Sequence, residues 1–431
     1  MQEAKTIREF FTPDLANMGD NLVNKTKGDR IIWAIVVILT IASLLLVYSS
    51  TGSLAYRMNK STESYLFKQF AFIMLGLLVI YFAHRINYTI YSRVALILFL
   101  VSIPLLIYTL LFGIKLNAGS RWIMLPIINM TIQTSDLAKL ALFMYLSRQL
   151  SRKQAVIKDF KKGFLPIIVP VGIICLLIAP ANLSTAILIA GTSFVLMFIG
   201  RINTKHILIT IGIALIPAIL LISIAVSTYD TQKGEQKKLP SILATGRIPT
   251  WIGRIQTFVY SKKEDNNDKM YQINQAKIAI SNGGWLGRGP GRSEARNFLP
   301  HSYSDFIYAI IIEEYGIFGA AFMCSIYLLF LYRCIRIYRK CPYAFGAFLA
   351  LALSFTLVIQ AIANMGVNVN LFPNTGVTLP LVSMGGSSFL FTCLAIGIIL
   401  SVSRNVEKLE GLAALQNLKI NRTEAGTPAI A

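Results

Sequence analysis

Long apolar runs separated by short polar connections dominate the sequence. Ten of these runs approach or reach the length needed to cross a hydrocarbon core of about 30 Å. The runs cover residues 31–50, 67–84, 93–113, 134–150, 164–180, 183–200, 206–228, 306–332, 343–365 and 380–402. This pattern predicts an all-α polytopic membrane protein with about ten transmembrane helices, of which the fourth and fifth are short for a full span.

Basic residues accumulate in alternate connections. Lys and Arg are enriched after spans two, four, six and eight, whereas residues 366–378, between spans nine and ten, carry no charge. Because short cytoplasmic loops are rich in Lys and Arg, both termini are predicted to be cytoplasmic. The chain then comprises an N-terminal tail (1–30), a membrane domain (31–404) and a C-terminal tail (405–431).

Composition agrees with a membrane protein. Of the 431 residues, 55% are hydrophobic and 14% are charged, and the formal net charge is +21. The positive-inside pattern accounts for most of this charge, so nucleic-acid binding is the weaker explanation and no nucleic-acid partner is predicted. The polar first thirty residues and the lack of a cleavage pattern favour an uncleaved first span. The scattered cysteines and histidines suggest neither a disulfide framework nor a metal site.

One connection, residues 229–304 between spans seven and eight, is much longer than the others and is predicted to be extracytoplasmic. Within it, GRIPTWIGRIQTFVY places apolar residues at helical spacing, with Arg247 and Arg254 on the polar side. This pattern predicts an interfacial helix, which either caps the bundle or borders the route of a lipid substrate. Further along, ISNGGWLGRGPGRSEAR contains Arg288 and Arg292 and could bind a diphosphate as an anion nest. Alternatively, its glycines only shape a turn.

Three carboxylates lie at the start of span eight, in NFLPHSYSDFIYAIIIEEYG. Ser304 or Asp305 is placed to cap the helix N terminus, and Glu313 and Glu314 follow about 12 Å deeper. A charged side chain costs about 2.5–3.5 kcal/mol at the centre of a span, so the glutamates are expected to face protein or water. Polar packing is the favoured interpretation of both glutamates, and a supporting role behind Asp305 is the alternative.

Further polar residues lie on the same predicted external side. Asp136 and Lys139 are one helical turn apart at the start of span four and are predicted to pair. Arg121, in AGSRWI before that span, could serve as an interfacial anchor. Ser387 and Ser388 follow two glycines in TGVTLPLVSMGGSS, a pattern that suits close helix packing. Together with the arginine-bearing loop and the aspartate of span eight, these residues describe a cationic, carboxylate-bearing pocket beneath an external loop.

Several of these stretches, in this order, resemble motifs of the SEDS family (shape, elongation, division and sporulation), which includes FtsW and RodA. The resemblance covers roughly residues 31–405 and rests on AGSRWI, QTSDLAKLAL, YQINQAKIAISNGGWLGRGPG, LPHSYSDFIYAIIIEEYG and TGVTLPLVSMGGSS. It implies a peptidoglycan glycosyltransferase that polymerises lipid II, the undecaprenyl-diphosphate-linked disaccharide-pentapeptide, outside the cytoplasmic membrane. The overall pattern, including NLSTA and SDFIYAIIIEE, is more similar to division members than to elongation members.

The resemblance also implies roles for single residues. The family's catalytic aspartate falls on Asp305, and its functionally important basic residues fall on Arg121 and Lys139. Where family members carry carboxylates, this chain has Asn182 and His301, so neither position is expected to supply a carboxylate. The remaining candidates are Arg288, Arg292, Ser387 and Ser388 for substrate binding, and Asp136, Glu313 and Glu314 as supporting residues.

The implied chemistry suits this set of residues. Joining two lipid-linked sugars needs a base for the acceptor hydroxyl and cations for the diphosphate leaving group, and one inverting displacement needs no covalent intermediate. A divalent cation, Mg²⁺ or Mn²⁺, could assist, but the sequence shows no dedicated metal site. The resemblance further implies a class B penicillin-binding transpeptidase, other division proteins and a septal location. A lipid II transporter, a division scaffold and an elongation role are the alternatives.

Overall fold

The structure is a computed structural model that describes residues 27–59, 61–116, 119–125, 130–230, 235–236, 248–260, 268–299 and 302–425. Its α-helices are α1 (Arg30–Ser50), α2 (Gly52–Arg57), α3 (Thr62–Arg85), α4 (Tyr88–Phe112), α5 (Thr134–Arg152), α6 (Leu165–Ile178), α7 (Leu183–Ile199), α8 (Thr204–Ser227), α9 (Ile248–Val259), α10 (Asp268–Gly283), α11 (Ala295–Phe298), α12 (Ile307–Lys340), α13 (Ala344–Asn368) and α14 (Ser387–Ala425). Its strands are β1 (Ile114–Leu116), β2 (Gly119–Leu125), β3 (Met130–Gln133), β4 (Tyr229–Asp230) and β5 (Glu235–Gln236).

Each apolar run coincides with a helix. Within the described residues, eight helices are long and apolar enough to cross a membrane, one of them formed by a π-helical turn, Phe160–Phe164, that continues into α6. The other two runs form α5, which contains Asp136 and Lys139, and α7, which has only 17 residues. The polytopic helical membrane fold is therefore confirmed, while the count of ten spans stays a prediction.

A small antiparallel sheet interrupts the helical pattern between α4 and α5. Strands β1, β2 and β3 pair in sequence order, with Trp122 opposite Gln133. The sequence analysis predicted no strand here, because strands this short carry too little periodicity to be recognised. Since β3 runs directly into α5, the sheet brings Arg121 and its neighbour Trp122 beside the first turn of that helix.

The centre of the bundle is α13. This helix is buried along most of its length and packs against α5, α7, α12 and α14. The opposite extreme is α8, which is exposed along nearly all of its length and contacts mainly α7 and α9. Because the exposed side chains of α8 are mostly Leu and Ile, this helix requires hydrocarbon surroundings.

A helix, α9, is present where the sequence predicted an interfacial helix, and its interfacial position stays a prediction. Ile252 is buried, and Gln256 donates a hydrogen bond of 2.8 Å to the carbonyl oxygen of Ala225 near the end of α8. The contact agrees with the bundle-capping alternative. Arg247, which was assigned to its polar side, falls outside the described residues.

A nearly buried ion pair ties the start of α1 to the rest of the bundle. The Arg333 guanidinium in α12 donates to Asp29 Oδ2 through Nε (2.8 Å) and Nη2 (2.5 Å). The other carboxylate oxygen of Asp29 accepts the N–H of Ile31 and caps α1, while the N–H of Asp29 donates to Ser403 Oγ in α14. The start of α1 is thus joined to the last third of α12 and to the middle of α14.

The segment between α13 and α14 folds back into the bundle. Leu381 and Val382 are buried, and the carbonyl of Val382 accepts a hydrogen bond of 2.8 Å from Ser43 Oγ in α1. The sequence analysis began the last span at residue 380, but α14 begins at Ser387. The difference has a backbone cause: Pro380 lacks an N–H donor, and Leu381 has a left-handed φ of +62°, so neither residue continues a helix.

Candidate active site

The turn that precedes α12 carries Asp305. Its backbone carbonyls are engaged by the segment that folds back into the bundle: the N–H of Met384 donates to Tyr303 O (3.0 Å), and Ser383 Oγ donates to Ser304 O (2.6 Å). Buried carbonyls without partners are costly. The turn therefore keeps this conformation, and the backbone fixes where the Asp305 side chain begins.

Two asparagines of α13 complete this support. Asn364 and Asn368 donate to the carbonyl oxygen of Asp305 at 2.8 and 2.9 Å, and Asn368 Oδ1 accepts the N–H of Ala309 at 3.0 Å. The sequence analysis placed the cap of this helix at Asp305 or the residue before it. The structure places the N-cap position at Phe306, and a side chain from a neighbouring helix serves the first turn.

A cavity of about 270 Å³ opens beside this turn. Its walls come from β2, β3, α5, α7, α13, the turn before α12 and the start of α14. Among the residues singled out in the sequence, its lining includes Arg121, Asp136, Lys139, Asp305 and Ser388. Two cations and two carboxylates from distant parts of the chain therefore border one polar space.

Lys139 is oriented by two partners. Its Nζ lies 3.3 Å from Asp136 Oδ1, which confirms the predicted pair, and it donates to Gln360 Oε1 at 2.9 Å. Gln360 is itself fixed because its Nε2 donates to Thr378 O (3.0 Å). The second carboxylate oxygen of Asp136 is buried and has no hydrogen-bond partner among the described residues. Because buried polar atoms normally have a partner, this oxygen can accept a donor from a bound molecule.

Arg121 reaches the cavity from the sheet. Its Nε donates to the carbonyl oxygen of Ala181 at 3.0 Å, next to the position where Asn182 caps α7 by accepting the N–H of Thr185 (3.4 Å). Asn182 also lines the cavity. An asparagine at this position keeps the helix cap but supplies no base.

Two neighbours define the surroundings of the Asp305 carboxylate. Gly376 has a left-handed φ of +64°, and a Cβ there would lie 3.4 Å from Asp305 Oδ2, so glycine lets the backbone approach the carboxylate. On the other side, burial raises the pKa of the Tyr303 phenol, and the negative charge of Asp305 raises it further. Tyr303 is therefore a neutral phenol near pH 7.

Three of the predicted substrate-binding residues are absent from the cavity lining. Arg288 forms an ion pair of 2.8 Å with the exposed Glu294, and Arg292 belongs to the same loop. Ser387 lies just behind the wall, where its Oγ accepts the N–H of Gln133 at 3.2 Å. The structure therefore places the loop arginines apart from the cavity.

The glycine-rich loop closes a break in α12. At Gly316 the backbone leaves helical geometry, with φ +68° and ψ −167°. The carbonyls before the break, of Glu313 and Glu314, accept the N–H groups of Arg288 (2.9 Å) and Gly289 (3.0 Å). The sequence analysis had offered such amides as an anion nest, and for these two that prediction is wrong. They satisfy helix carbonyls that would otherwise lack partners.

Glu313 and Glu314 hold the same loop from inside the protein. Their exposed fractions are 0% and 1%, and neither lines the cavity. Glu313 accepts a hydrogen bond from Ser293 Oγ in the loop, and Glu314 accepts one from Ser49 Oγ in α1. Arg296, three residues after Ser293, donates to the carbonyl oxygen of Ser49 at 3.0 Å, so this part of the chain also contacts α1. Both carboxylates thus have packing partners, which is how a span tolerates them.

Sequence reasoning missed the polar face of α13. Gln360, Asn364 and Asn368 recur every four residues in an otherwise apolar helix, which places them on one face. Polar residues within an apolar span have functional or packing roles more often than not. This spacing was the available signal, and the structure shows that it marks the wall supporting both Lys139 and Asp305.

A family model described as a cell cycle protein, covering FtsW, RodA and SpoVE, matches residues 29–408. Curated relatives agree with that match. A probable peptidoglycan glycosyltransferase FtsW of Trichlorobacter lovleyi is 31% identical over 383 residues, covering 88% of this chain and 94% of the relative. A protein of the same name from Geobacter sulfurreducens is 30% identical over 394 residues, covering 91% of this chain and 99% of the relative.

Solved structures share the fold. A chain from a peptidoglycan synthase complex, solved in work on the coordination of polymerization and crosslinking, aligns with a TM-score of 0.66 and 23% identity, covering 88% of this chain and 98% of that chain. The rod shape determining protein RodA of Thermus thermophilus aligns with a TM-score of 0.59 and 21% identity, covering 88% and 97%. At these identities the likeness establishes the fold alone.

Gly287 provides a test of the closed break in α12. A Cβ at Gly287 (φ +79°) would lie 2.2 Å from the carbonyl oxygen of Glu314, whereas Gly291 has a similar φ of +73° and open space around it. Both alanine variants bear the left-handed strain of about 1–2 kcal/mol, but only Gly287→Ala adds the clash. We expect the thermal unfolding midpoint of purified Gly287→Ala to lie clearly below that of Gly291→Ala. Equal midpoints would contradict this role of the loop.

Proposed function

Because the chain belongs to the FtsW, RodA and SpoVE family of cell cycle proteins, we propose that the cavity beside Asp305 is where it polymerises lipid II into β-1,4-linked glycan strands. The chain is a membrane-embedded peptidoglycan glycosyltransferase. The observation that carries the proposed site is the convergence of one carboxylate on a fixed turn with Arg121 and Lys139 around a single cavity. Such a set can hold a diphosphate and remove a proton.

In the proposed reaction, Asp305 accepts the proton of the acceptor's 4-hydroxyl as that oxygen attacks the anomeric carbon of the donor. The bond from that carbon to the diphosphate breaks, and undecaprenyl diphosphate leaves. Arg121 and Lys139 offset the negative charge that develops on the diphosphate, and because their positions are set before substrate binds, little reorganisation is needed. A single displacement inverts an α-linked donor into a β-linked product.

The cavity alone has too few ligands for a divalent cation, and the substrate's phosphates would have to supply the others. Within the described part of the chain, no group of three or more His, Cys, Asp or Glu side chains could hold a metal ion. The cavity offers Asp136 and Asp305 as carboxylates. Since Mg²⁺ is commonly held by one or two carboxylates together with substrate phosphates and water, a cation is proposed here as an accompaniment of the diphosphate.

The alternatives of a lipid II transporter and a scaffold explain less of this cavity. A transporter needs a polar path that opens alternately to each side, and a scaffold needs no base. Neither requires a carboxylate whose turn is held by four side-chain and backbone donors. Polymerisation uses both the carboxylate and the cations, so it is the function that this geometry favours.

The proposal includes an orientation and a partner. The basic connections favour cytoplasmic termini, which places the cavity beside Asp305 at the outer face of the membrane. A structural neighbour of this chain belongs to a peptidoglycan synthase complex, and the relatives carry the division name FtsW. On that basis we assign a class B penicillin-binding transpeptidase as the partner, and the septum, with other division proteins, as the site of action.

The substitution Asp305→Asn tests the assignment of the base. The amide keeps the size of the side chain and much of its hydrogen bonding but cannot accept the proton, so polymerisation of lipid II by the purified protein should fall by about 10²–10⁴-fold. Glu63→Gln, the same chemical change at an exposed position in the first turn of α3, is the matched control and should keep full activity. A well-folded Asp305→Asn protein with near-normal polymerisation would rule the assignment out.

Orientation is tested by labelling single cysteines introduced into a cysteine-free background. Ser281 and Lys158 are both exposed and lie on opposite predicted sides. In intact cells, a membrane-impermeant maleimide should modify Ser281→Cys and leave Lys158→Cys unmodified until the membrane is opened. The reverse labelling pattern would place the proposed active site in the cytoplasm and exclude polymerisation at the outer face.

Depletion of the protein tests the septal role. If the glycan strands are made for division, cells should elongate into filaments with blocked septa while retaining their diameter, as seen by microscopy with a fluorescent cell-wall label. Rounded cells that continue to divide would assign the protein to elongation instead. Loss of septal labelling without change in lipid II polymerisation in extracts would favour the scaffold alternative.

A further inference from the structure

A second polar cavity, of about 580 Å³, lies between the residues just before α1, the start of α4 and the middle of α14. It is distant from the first one: Ser388 lines the proposed active site, whereas Ser401 lines the second cavity thirteen residues further along α14. At 1.5 Å per residue this separation is about 20 Å. Nothing in the proposed polymerisation uses this second cavity.

One face of α14 forms a wall of this cavity. Ser401, Arg404, Asn405 and Lys408 all line it, and their spacing of three, four and seven residues places them on the same side of a helix. The wall is anchored to the end of α3, because Ser401 Oγ donates to Ile86 O (2.5 Å) and Arg404 Nη2 donates to the carbonyl oxygen just before it (3.0 Å).

Further positive charge lies on the side of the cavity opposite α14. Lys27 lines the cavity, as does Asn87, which caps α4 by accepting the N–H of Thr89. The positive end of the α4 dipole therefore lies at the cavity as well. The lining has one carboxylate, Glu407, and this group already accepts the N–H of Gly28 at 2.9 Å. Three cationic side chains thus surround a space that an anion would neutralise.

The position of the cavity indicates where such an anion comes from. The cavity lies where α3 ends and α4 begins, and both helices are long and apolar enough to cross a membrane. Phe82 and Ile86 lie at the end of α3, close in sequence to the lining residue Asn87, and are 57% and 40% exposed. Apolar surface that suits acyl chains is therefore close to the cations. Basic pockets between the cytoplasmic ends of spans bind the headgroups of anionic lipids.

We propose that this cavity binds the phosphate-bearing headgroup of an anionic phospholipid from the inner leaflet, such as phosphatidylglycerol or cardiolipin. Lys27, Arg404 and Lys408 contact the phosphate, and the acyl chains lie along the exposed apolar residues at the end of α3. The proposal rests on the orientation with cytoplasmic termini and is independent of polymerase activity. The lipid would hold together the start of α1 and the middle of α14, which the buried Asp29 also joins.

Native mass spectrometry of the purified protein, titrated with cardiolipin, tests the proposal. The double variant Arg404→Gln/Lys408→Gln should bind the lipid at least roughly tenfold more weakly, because each cation near an anionic group contributes to binding. The control Lys158→Gln/Lys161→Gln removes the same charge from exposed residues on the same predicted face and should bind as the unmodified protein does. Lys408→Gln alone, a change at an exposed position, should show a smaller loss in the same direction.

Several outcomes would overturn the inference. Equal losses in the double variant and its control would show a general charge effect, and an unchanged double variant would show that the cavity binds no lipid. Equal binding of the zwitterionic lipid phosphatidylethanolamine, or full competition by soluble glycerol phosphate, would exclude an anionic lipid as the specific ligand. Asp305→Asn should bind cardiolipin normally, so failure of the catalytic assignment and failure of this one can be told apart.

Discussion

The structure around Asp305 depends on one constraint: backbone that leaves helical geometry inside a membrane protein must find its hydrogen bonds within the protein. The turn before α12 meets this requirement through α13 and the segment that folds back before α14. Each carbonyl of Tyr303, Ser304 and Asp305 has a donor from one of these two elements. The hydrogen bonds that satisfy these backbone carbonyls therefore also fix the point from which the Asp305 side chain projects.

The same helix that supports the turn also sets the electrostatics of the cavity. Gln360 orients Lys139 from one side while Asp136 pairs with it from the other. An ammonium group held between an amide and a carboxylate keeps a fixed position before any substrate arrives, which is the arrangement that stabilises developing charge most effectively. Since α13 is the buried centre of the bundle, both the turn that carries Asp305 and the ammonium group of Lys139 are held by side chains of a buried helix.

Much of the fold could be predicted from the sequence, because apolar run length reports directly on membrane-crossing helices. The pair Asp136 and Lys139 was also predictable, since spacing along one helix fixes proximity. Contacts between distant segments were not: spacing along the chain gives no reason why Asn368 should meet Ala309. The sequence analysis also predicted that Arg288 and Arg292 line the pocket, and they do not. The backbone amides of Arg288 and Gly289 instead donate to helix carbonyls at the break in α12. In the sequence, only Gly316 marks this break.

The glycine-rich loop lies outside the lining of the cavity, but it contacts α12, the helix that follows Asp305. The part of this helix before the break runs only from Ile307 to Gly316, so it is a short rod with Asp305 just before its start. Asn368 holds one end of the rod, and the glycine-rich loop holds the other through the carbonyls of Glu313 and Glu314. A shift of the loop would tilt the rod and move the carboxylate, although the two are about 12 Å apart. Catalytic geometry can lose activity from displacements of about 1 Å, so a loop that lies outside the lining of the cavity can still be required for the reaction.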